Sequence, residues 1–168
     1  MHVDFLPTAV TGLAGPIGLT IAPGRHGSLE EDLRDLRATH RAGLLVSLVG
    51  DAELEHLGIT GFEEKVRASG IDLVRFPIAD FSTPNSLDDL AALVATIVAR
   101  ARSGETVVVH CWAGLGRSGL VVACCLATLG REPRDAIALV RRYRRGAVED
   151  SDQEECVAEL AALVTQSK

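Results

Sequence analysis

The run His110-Cys111-Trp112-Ala113-Gly114-Leu115-Gly116-Arg117-Ser118-Gly119 sets a thiol and a guanidinium at the ends of a short, uncharged, glycine-containing stretch. The intervening residues, Trp112, Ala113, Gly114, Leu115 and Gly116, can curl into a cradle whose backbone N–H groups converge on one point. Gly114 and Gly116 are expected to supply the positive φ values and close backbone approach that such a nest needs. A helix that follows would aim its N-terminal dipole at the same spot, a setting suited to a phosphate dianion. Arg117 adds a planar fork able to hold two phosphate oxygens together. An ordinary cysteine is only roughly 3% thiolate at pH 7, and a positively polarised cradle favours the thiolate. Cys111 is therefore the expected nucleophile, attacking phosphorus in line while the loop holds the equatorial oxygens of the transition state. A buried structural thiol beside a glycine-rich turn is the plain alternative; the whole string argues against it where a lone cysteine would not.

Expelling a serine, threonine or tyrosine oxygen requires a proton, which a carboxylic acid on a loop can give. Asp80, within Phe76-Pro77-Ile78-Ala79-Asp80-Phe81-Ser82-Thr83-Pro84, follows a predicted strand and is expected at the same end of the sheet as Cys111. Once ionised, it can take a proton from an attacking water. A turn or capping role ahead of Pro84 is the competing reading. Asp88 and Asp89 fall in the first turn of the next predicted helix and complement its dipole. Asp72 lies within a strand.

These groups need a scaffold that brings two distant loops to one edge. Residues 17–21, 44–49, 71–76 and 106–110 read as strands, and residues 44–49 form a continuous apolar run bounded by glycines, as in a strand buried on both faces. Ser28 with Glu31 is a capping-box pattern opening a helix with Leu29, Leu33 and Leu36 at helical spacing. Further helices are predicted near residues 52–57, 62–69, 86–102, 117–129, 133–144 and 151–164, with Pro133 at a first helical position. The alternation implies an α/β fold: a central, mostly parallel sheet of four to five strands, flanked by helices on both faces. Ligands in such sheets lie beyond the carboxyl ends of the strands, where the segment after His110 falls. Residues 1–168 read as a single domain, with residues 1–16 expected to be loosely ordered.

His-Cys-x5-Arg-Ser resembles the signature loop of cysteine-dependent protein phosphatases, and the wider pattern resembles their small dual-specificity class, in the manner of the cyclin-dependent-kinase-associated phosphatase. The resemblance runs over about residues 18–157 and is specific in three short segments. It implies that Ser118 assists the departing thiolate and that His110 orients Cys111. The spacing of Asp80 from Cys111 resembles that of the family's acid loop. The segment Arg145-Gly146-Ala147-Val148-Glu149-Asp150-Ser151-Asp152-Gln153 resembles the region where a glutamine positions water, and Gln153 is the matching residue. Here the sequence departs from the family pattern, because acidic residues crowd Gln153 on both sides; an ordinary first-turn helix residue is the alternative. The single tryptophan lies inside the cradle, so no Trp-Pro-Asp acid loop of the larger tyrosine-specific enzymes exists.

The implied substrate is a phosphorylated protein, phosphotyrosine favoured and phosphoserine or phosphothreonine accepted. Phosphoinositide or inositol-phosphate hydrolysis is an alternative, disfavoured by the absence of lysine from the loop. A catalytically silent phospho-binding module and a rhodanese-like sulfurtransferase are the readings from other classes. A chain of 168 residues, 47% hydrophobic and 24% charged, suits one globular core. A net charge of −6 excludes broad nucleic-acid or anionic-membrane binding. The four cysteines and five histidines lack ligand spacing, so neither a metal nor any other cofactor is expected. Residues 119–130 are too short a run for membrane insertion, and Met1-His2-Val3-Asp4 has no basic region of a signal peptide. A monomer in a reducing, cytoplasmic setting is the expectation. Arg141, Arg142, Arg144 and Arg145 read as a mostly solvated cluster, with recruitment of an acidic partner as the alternative. Cys124 and Cys125 read as core residues, with a disulfide to Cys111 under oxidation as the alternative.

Overall fold

The structure, a computed structural model, describes residues 1–166. Five strands form one sheet in the order β1-β2-β5-β3-β4, comprising β1 (Asp4–Leu6), β2 (Ile17–Thr20), β3 (Ala42–Ser47), β4 (Asp72–Arg75) and β5 (Thr106–His110). All neighbouring pairs run parallel except β1 with β2. The helices are α1 (Thr8–Thr11), α2 (Leu29–Ala38), α3 (Asp51–His56), α4 (Phe62–Ala68), α5 (Leu87–Arg102), α6 (Gly116–Thr128), α7 (Pro133–Tyr143) and α8 (Ser151–Gln166).

Strand periodicity sorts the core into two layers. In β5, Val107 and Val109 face one cluster and Val108 the other; in β3, Leu44 and Val46 oppose Leu45 in the same way, and a bulge between Ala42 and Leu44 puts Ala42 on the Leu45 side. The first cluster packs against α5 to α8, the second against α2 to α4. Ser28 caps α2 through the Glu31 N–H, and Ser86 caps α5 through the Asp89 N–H. Apolar residues surround α6 on every side, and its residues are buried from Gly116 to Ala127.

The N-terminal segment departs from expectation. Asp4, Phe5 and Leu6 pair with Leu19, Gly18 and Ile17, adding an edge strand where loose order was expected. Three residues are too short a run for period-2 alternation to register in the sequence. Their anchoring comes from elsewhere: Leu6 is fully buried, and the Thr20 hydroxyl donates to the His2 carbonyl at 2.6 Å. Among the described residues no helix is long and apolar enough to cross a membrane.

Candidate active site

β5 delivers Cys111 to the carboxyl edge of the sheet, and the chain turns through residues 111–115 into α6. Gly114 adopts φ +69°, and a Cβ there would lie 2.5 Å from the Thr20 carbonyl oxygen, so both the turn and the approach to β2 require glycine. Gly116 differs from the expectation. It is helical rather than left-handed, and its missing Cβ makes room for the Glu149 carboxylate and the Gln153 amide, which would stand 2.3 Å and 2.8 Å from it.

The Cys111 side chain is buried, with its Sγ 3.5 Å from Ser118 Oγ. His110, fully buried, donates from Nδ1 to the Cys111 carbonyl at 3.4 Å and meets the edge of Phe62. Its Nε2 has no hydrogen-bond partner among the described residues. Burial pushes the imidazole down to about 4, against a smaller upward effect of the Cys111 carbonyl, so it is neutral at neutral pH.

Arg117 is 1% exposed, extreme for a guanidinium, and is held on three sides. Glu53 accepts from both terminal nitrogens, at 2.9 Å and 2.8 Å, and the Ile78 carbonyl accepts from Nη1 at 2.9 Å. Asp80 Oδ1 lies 2.9 Å from Nη2. Burial lowers the guanidinium's proton affinity, but Glu53, Cys111 and Asp80 together raise it above the ordinary arginine value. Glu53 answers in kind: burial pushes its carboxyl up, yet the bonds from Arg117 and from the Gly50 N–H bring it below the usual range. With Glu53 on the Nη1–Nη2 edge, the Nε–Nη2 edge is the one suited to a bidentate oxyanion.

The acid segment reaches this point because the chain beyond β4 stays tied to the extension of β3. Phe76 N–H donates to the Ser47 carbonyl at 2.9 Å and Ile78 N–H to the Leu48 carbonyl at 3.0 Å. Leu48 N–H in turn donates to the His110 carbonyl at 3.0 Å, so the two loops leave neighbouring positions on one edge. Asp80 is thus brought to Arg117, as its place after a strand implied, with its side chain 54% exposed.

Gln153 is buried at the start of α8. Its Oε1 accepts from the Glu149 N–H at 2.9 Å, and its Nε2, against Gly116, has no partner among the described residues. The acidic neighbours seen in sequence divide their roles: Asp150 caps the Gln153 N–H at 2.8 Å, whereas the Glu149 carboxylate joins Gln153 at the cradle.

Two further residues escaped the sequence. Glu53 has the local signature of a capping residue, a glutamate three positions after Gly50, and it does cap the Gly50 N–H at 2.9 Å; its grip on Arg117 is a long-range contact. Arg144, counted in a mostly solvated cluster, reaches the cradle itself and donates to the Ala113 and Gly114 carbonyls. Arg141 braces the following turn through the Ala147 and Val148 carbonyls, while Arg142 and Arg145 are exposed. Cys124, Cys125 and Cys156 are buried free thiols. Burial pushes Cys124 well above the ordinary thiol value, Cys125 up to about 12 and Cys156 up to about 11.

Residues 19–131 match the family model described as "Polymorphic toxin system, DSP-PTPase phosphatase". The chain is 35% identical over 113 residues to protein tyrosine phosphatase PRL-1 of Leishmania major, covering 57% of this chain and 65% of that protein. It is 36% identical over 92 residues to protein tyrosine phosphatase type IVA 3 of Homo sapiens, covering 54% and 53% respectively. The aligned region thus spans less than two thirds of either relative. The structure superposes on kinase associated phosphatase, solved with its catalytic-site cysteine changed to serine, with a TM-score of 0.90 over 98% of this chain and 96% of that one, at 22% identity. It superposes on Tk-PTP in the active form with a TM-score of 0.72 at 32% identity, covering 88% and 90%.

Proposed function

Since the chain belongs to the DSP-PTPase phosphatase family of polymorphic toxin systems, within the cysteine-dependent phosphatases, we propose that it hydrolyses phosphomonoesters on proteins, phosphotyrosine foremost, through a cysteinyl-phosphate on Cys111. The observation that carries this reading is the convergence on one guanidinium. Arg117 follows the Cys111 loop, is fixed edge-on by Glu53, and has Asp80 at its free corner.

The phosphate dianion takes the loop amides of residues 112–117 and the Nε–Nη2 edge of Arg117, displacing Asp80 from Nη2. Cys111 Sγ then bonds to phosphorus as the P–O bond to the leaving group breaks. Asp80, freed from the Arg117 ion pair, takes up a proton from solvent and gives it to the departing oxygen. In the second step Asp80 takes a proton from water, the water oxygen bonds to phosphorus, and the S–P bond breaks. The Ser118 hydroxyl, 3.5 Å from Sγ, donates to the departing thiolate. The unpaired Gln153 amide beside Gly116 is suited to hold the water. Neutral His110 adds no charge of its own beneath the thiolate and steadies the Cys111 carbonyl.

A protein substrate is favoured over an inositol phosphate by the surroundings. Trp112 to Gly116 carry no charge, and on the α3–α4 surface Arg67 and Arg75 are paired with Glu63 and Asp51 while Glu55 and Glu64 add negative charge, which leaves little there to attract a polyanionic headgroup. The test is phosphate release from phosphotyrosine peptides, phosphoserine and phosphothreonine peptides and phosphoinositides, with Cys111→Ser beside the unmutated chain. Release from phosphotyrosine, lost by about four orders of magnitude or more in Cys111→Ser with peptide binding retained, is expected. Binding without release by the unmutated chain would make it a silent phospho-binding module instead.

A further inference from the structure

A cradle of amides works only if its peptide planes are turned the right way. In a trans peptide the C=O of one residue and the N–H of the next point in opposite directions. An amide aimed into the cradle therefore requires the preceding carbonyl to point out of it, where it needs a partner of its own. The partners of those outward carbonyls set the orientation of the amides as firmly as any group inside.

Each carbonyl from Trp112 to Leu115 has such an outside donor. The Trp112 carbonyl accepts from Arg25 Nη1 at 3.0 Å and from the Ala22 N–H at 3.3 Å. The Leu115 carbonyl accepts from the Gly119 N–H at 2.9 Å, the first turn of α6. Between them the Ala113 and Gly114 carbonyls share one side chain, accepting from Arg144 Nη2 at 2.9 Å and Nε at 3.0 Å. The remaining terminal nitrogen, Nη1, donates to Asp4 Oδ2 on β1 at 2.8 Å. Both side chains of that ion pair are about four-fifths buried. Arg144 is the residue at which the backbone leaves α7 for an extended conformation, φ −131° and ψ 92°, while its N–H still bonds to the Val140 carbonyl.

We propose that Arg144, oriented by Asp4, is a positioning residue for the anion cradle. It holds the Ala113 and Gly114 carbonyls outward and thereby turns the Gly114 and Leu115 amides toward the phosphate, while its charge adds to the field at Cys111. The inference rests on the cradle's binding phosphate, and it extends the working site to β1 and the end of α7. Lysine cannot replace the guanidinium, because one ammonium on a flexible stem lacks the fixed fork that reaches two adjacent carbonyls and a carboxylate together.

The experiment compares the unmutated chain with Arg144→Lys, Arg144→Met and Asp4→Asn. Three readouts are taken: affinity for orthovanadate, the pH dependence of Cys111 alkylation by iodoacetamide, and the thermal midpoint. Arg144→Met should weaken vanadate at least about ten-fold, the scale of losing oriented donors at an oxyanion, and shift alkylation to higher pH. Arg144→Lys should restore part of the alkylation shift, which follows charge, and less of the vanadate loss, which follows geometry. Asp4→Asn should move both in the same direction by about two- to five-fold. Vanadate affinity and alkylation profile unchanged in Arg144→Met, whatever the thermal midpoint does, would reduce Arg144 to a structural brace and overturn the proposal. Both unchanged in Asp4→Asn would overturn it even if Arg144→Met failed to fold. Failure of the unmutated chain to bind vanadate or release phosphate would instead remove the phosphate-site reading beneath it.

Discussion

The cradle and the acid segment meet at Arg117 yet are built in opposite ways. Cys111, Arg117 and Ser118 are all buried, and the carbonyls from Trp112 to Leu115 are held by donors from three separate parts of the chain. The acid segment beyond Ile78 has little such support. Asp80 is half exposed, Phe81 is 75% exposed with φ +51°, and the Ser82 N–H to Ala79 carbonyl turn is local. The cradle must present one geometry to every substrate, so rigidity serves it. On the proposed mechanism Asp80 leaves Arg117, gives a proton and takes one back, so a loosely tied segment serves it better.

The comparison breaks first at Asp80. Asp80→Asn should slow hydrolysis of phosphoserine peptides about 10²- to 10⁴-fold and of para-nitrophenyl phosphate far less, because nitrophenolate leaves without a proton. Equal losses for both would place the acid elsewhere. The same variant should bind vanadate slightly better, by about two- to five-fold, since an exposed carboxylate no longer competes for Arg117. Weaker vanadate binding would mean that Asp80 supports the cradle rather than obstructing it.

Glu53 probes the rigid side. Glu53→Gln keeps the shape but leaves the buried guanidinium with half-exposed Asp80 as its remaining carboxylate, so about 2–3 kcal/mol of stability should be lost in urea unfolding, at the low end because Asp80 remains and Glu53 is itself a quarter exposed. Turnover should fall with it for all leaving groups alike, the reverse of the Asp80 pattern. A leaving-group dependence in Glu53→Gln would erase the distinction between the two regions.

The smallest effect concerns pH. His110 is held at about 4, below its ordinary 6.5, so the unfolded chain binds the proton more readily than the folded one. Its contribution to stability is complete above pH 6.5 and lost as pH falls toward 4. About 2 kcal/mol should disappear between pH 7 and pH 5. Glu53, whose carboxyl is also depressed, loses its contribution only lower, below its ordinary 4.5. Urea unfolding of His110→Gln at the two pH values should show a flatter slope than the unmutated chain; an equal slope would assign the acid sensitivity to other groups.

What the sequence made legible follows from how local each feature is. The cradle is one contiguous run, Asp80 follows one strand, and β5 extends the apolar run Val107–Val109 by one residue at each end. Gln153 was legible by resemblance alone, and the structure adds its burial against Gly116. Glu53, Arg144 and Asp4 were not legible as parts of the site. Their local appearance, a cap, a member of a basic cluster and an acid near the N-terminus, is complete without the long-range contacts that give them their place. Gly116 misled for a related reason: glycine in a loop suggests a left-handed turn, while here the requirement comes from two side chains arriving from α8 and the turn before it.

The burial of α6 has a consequence for how the domain opens. The helix that begins with the cradle's last residues is enclosed by β2, β5, α5, α7 and α8, so no partial unfolding frees its first turn while the rest stays intact. Amide hydrogens at residues 120–126, which are bonded within α6, should therefore exchange with solvent only when the whole chain unfolds, while those at 80–83 exchange through brief local excursions. A molecule that has folded at all has already assembled its anion site, and half-folded copies are silent rather than partly active.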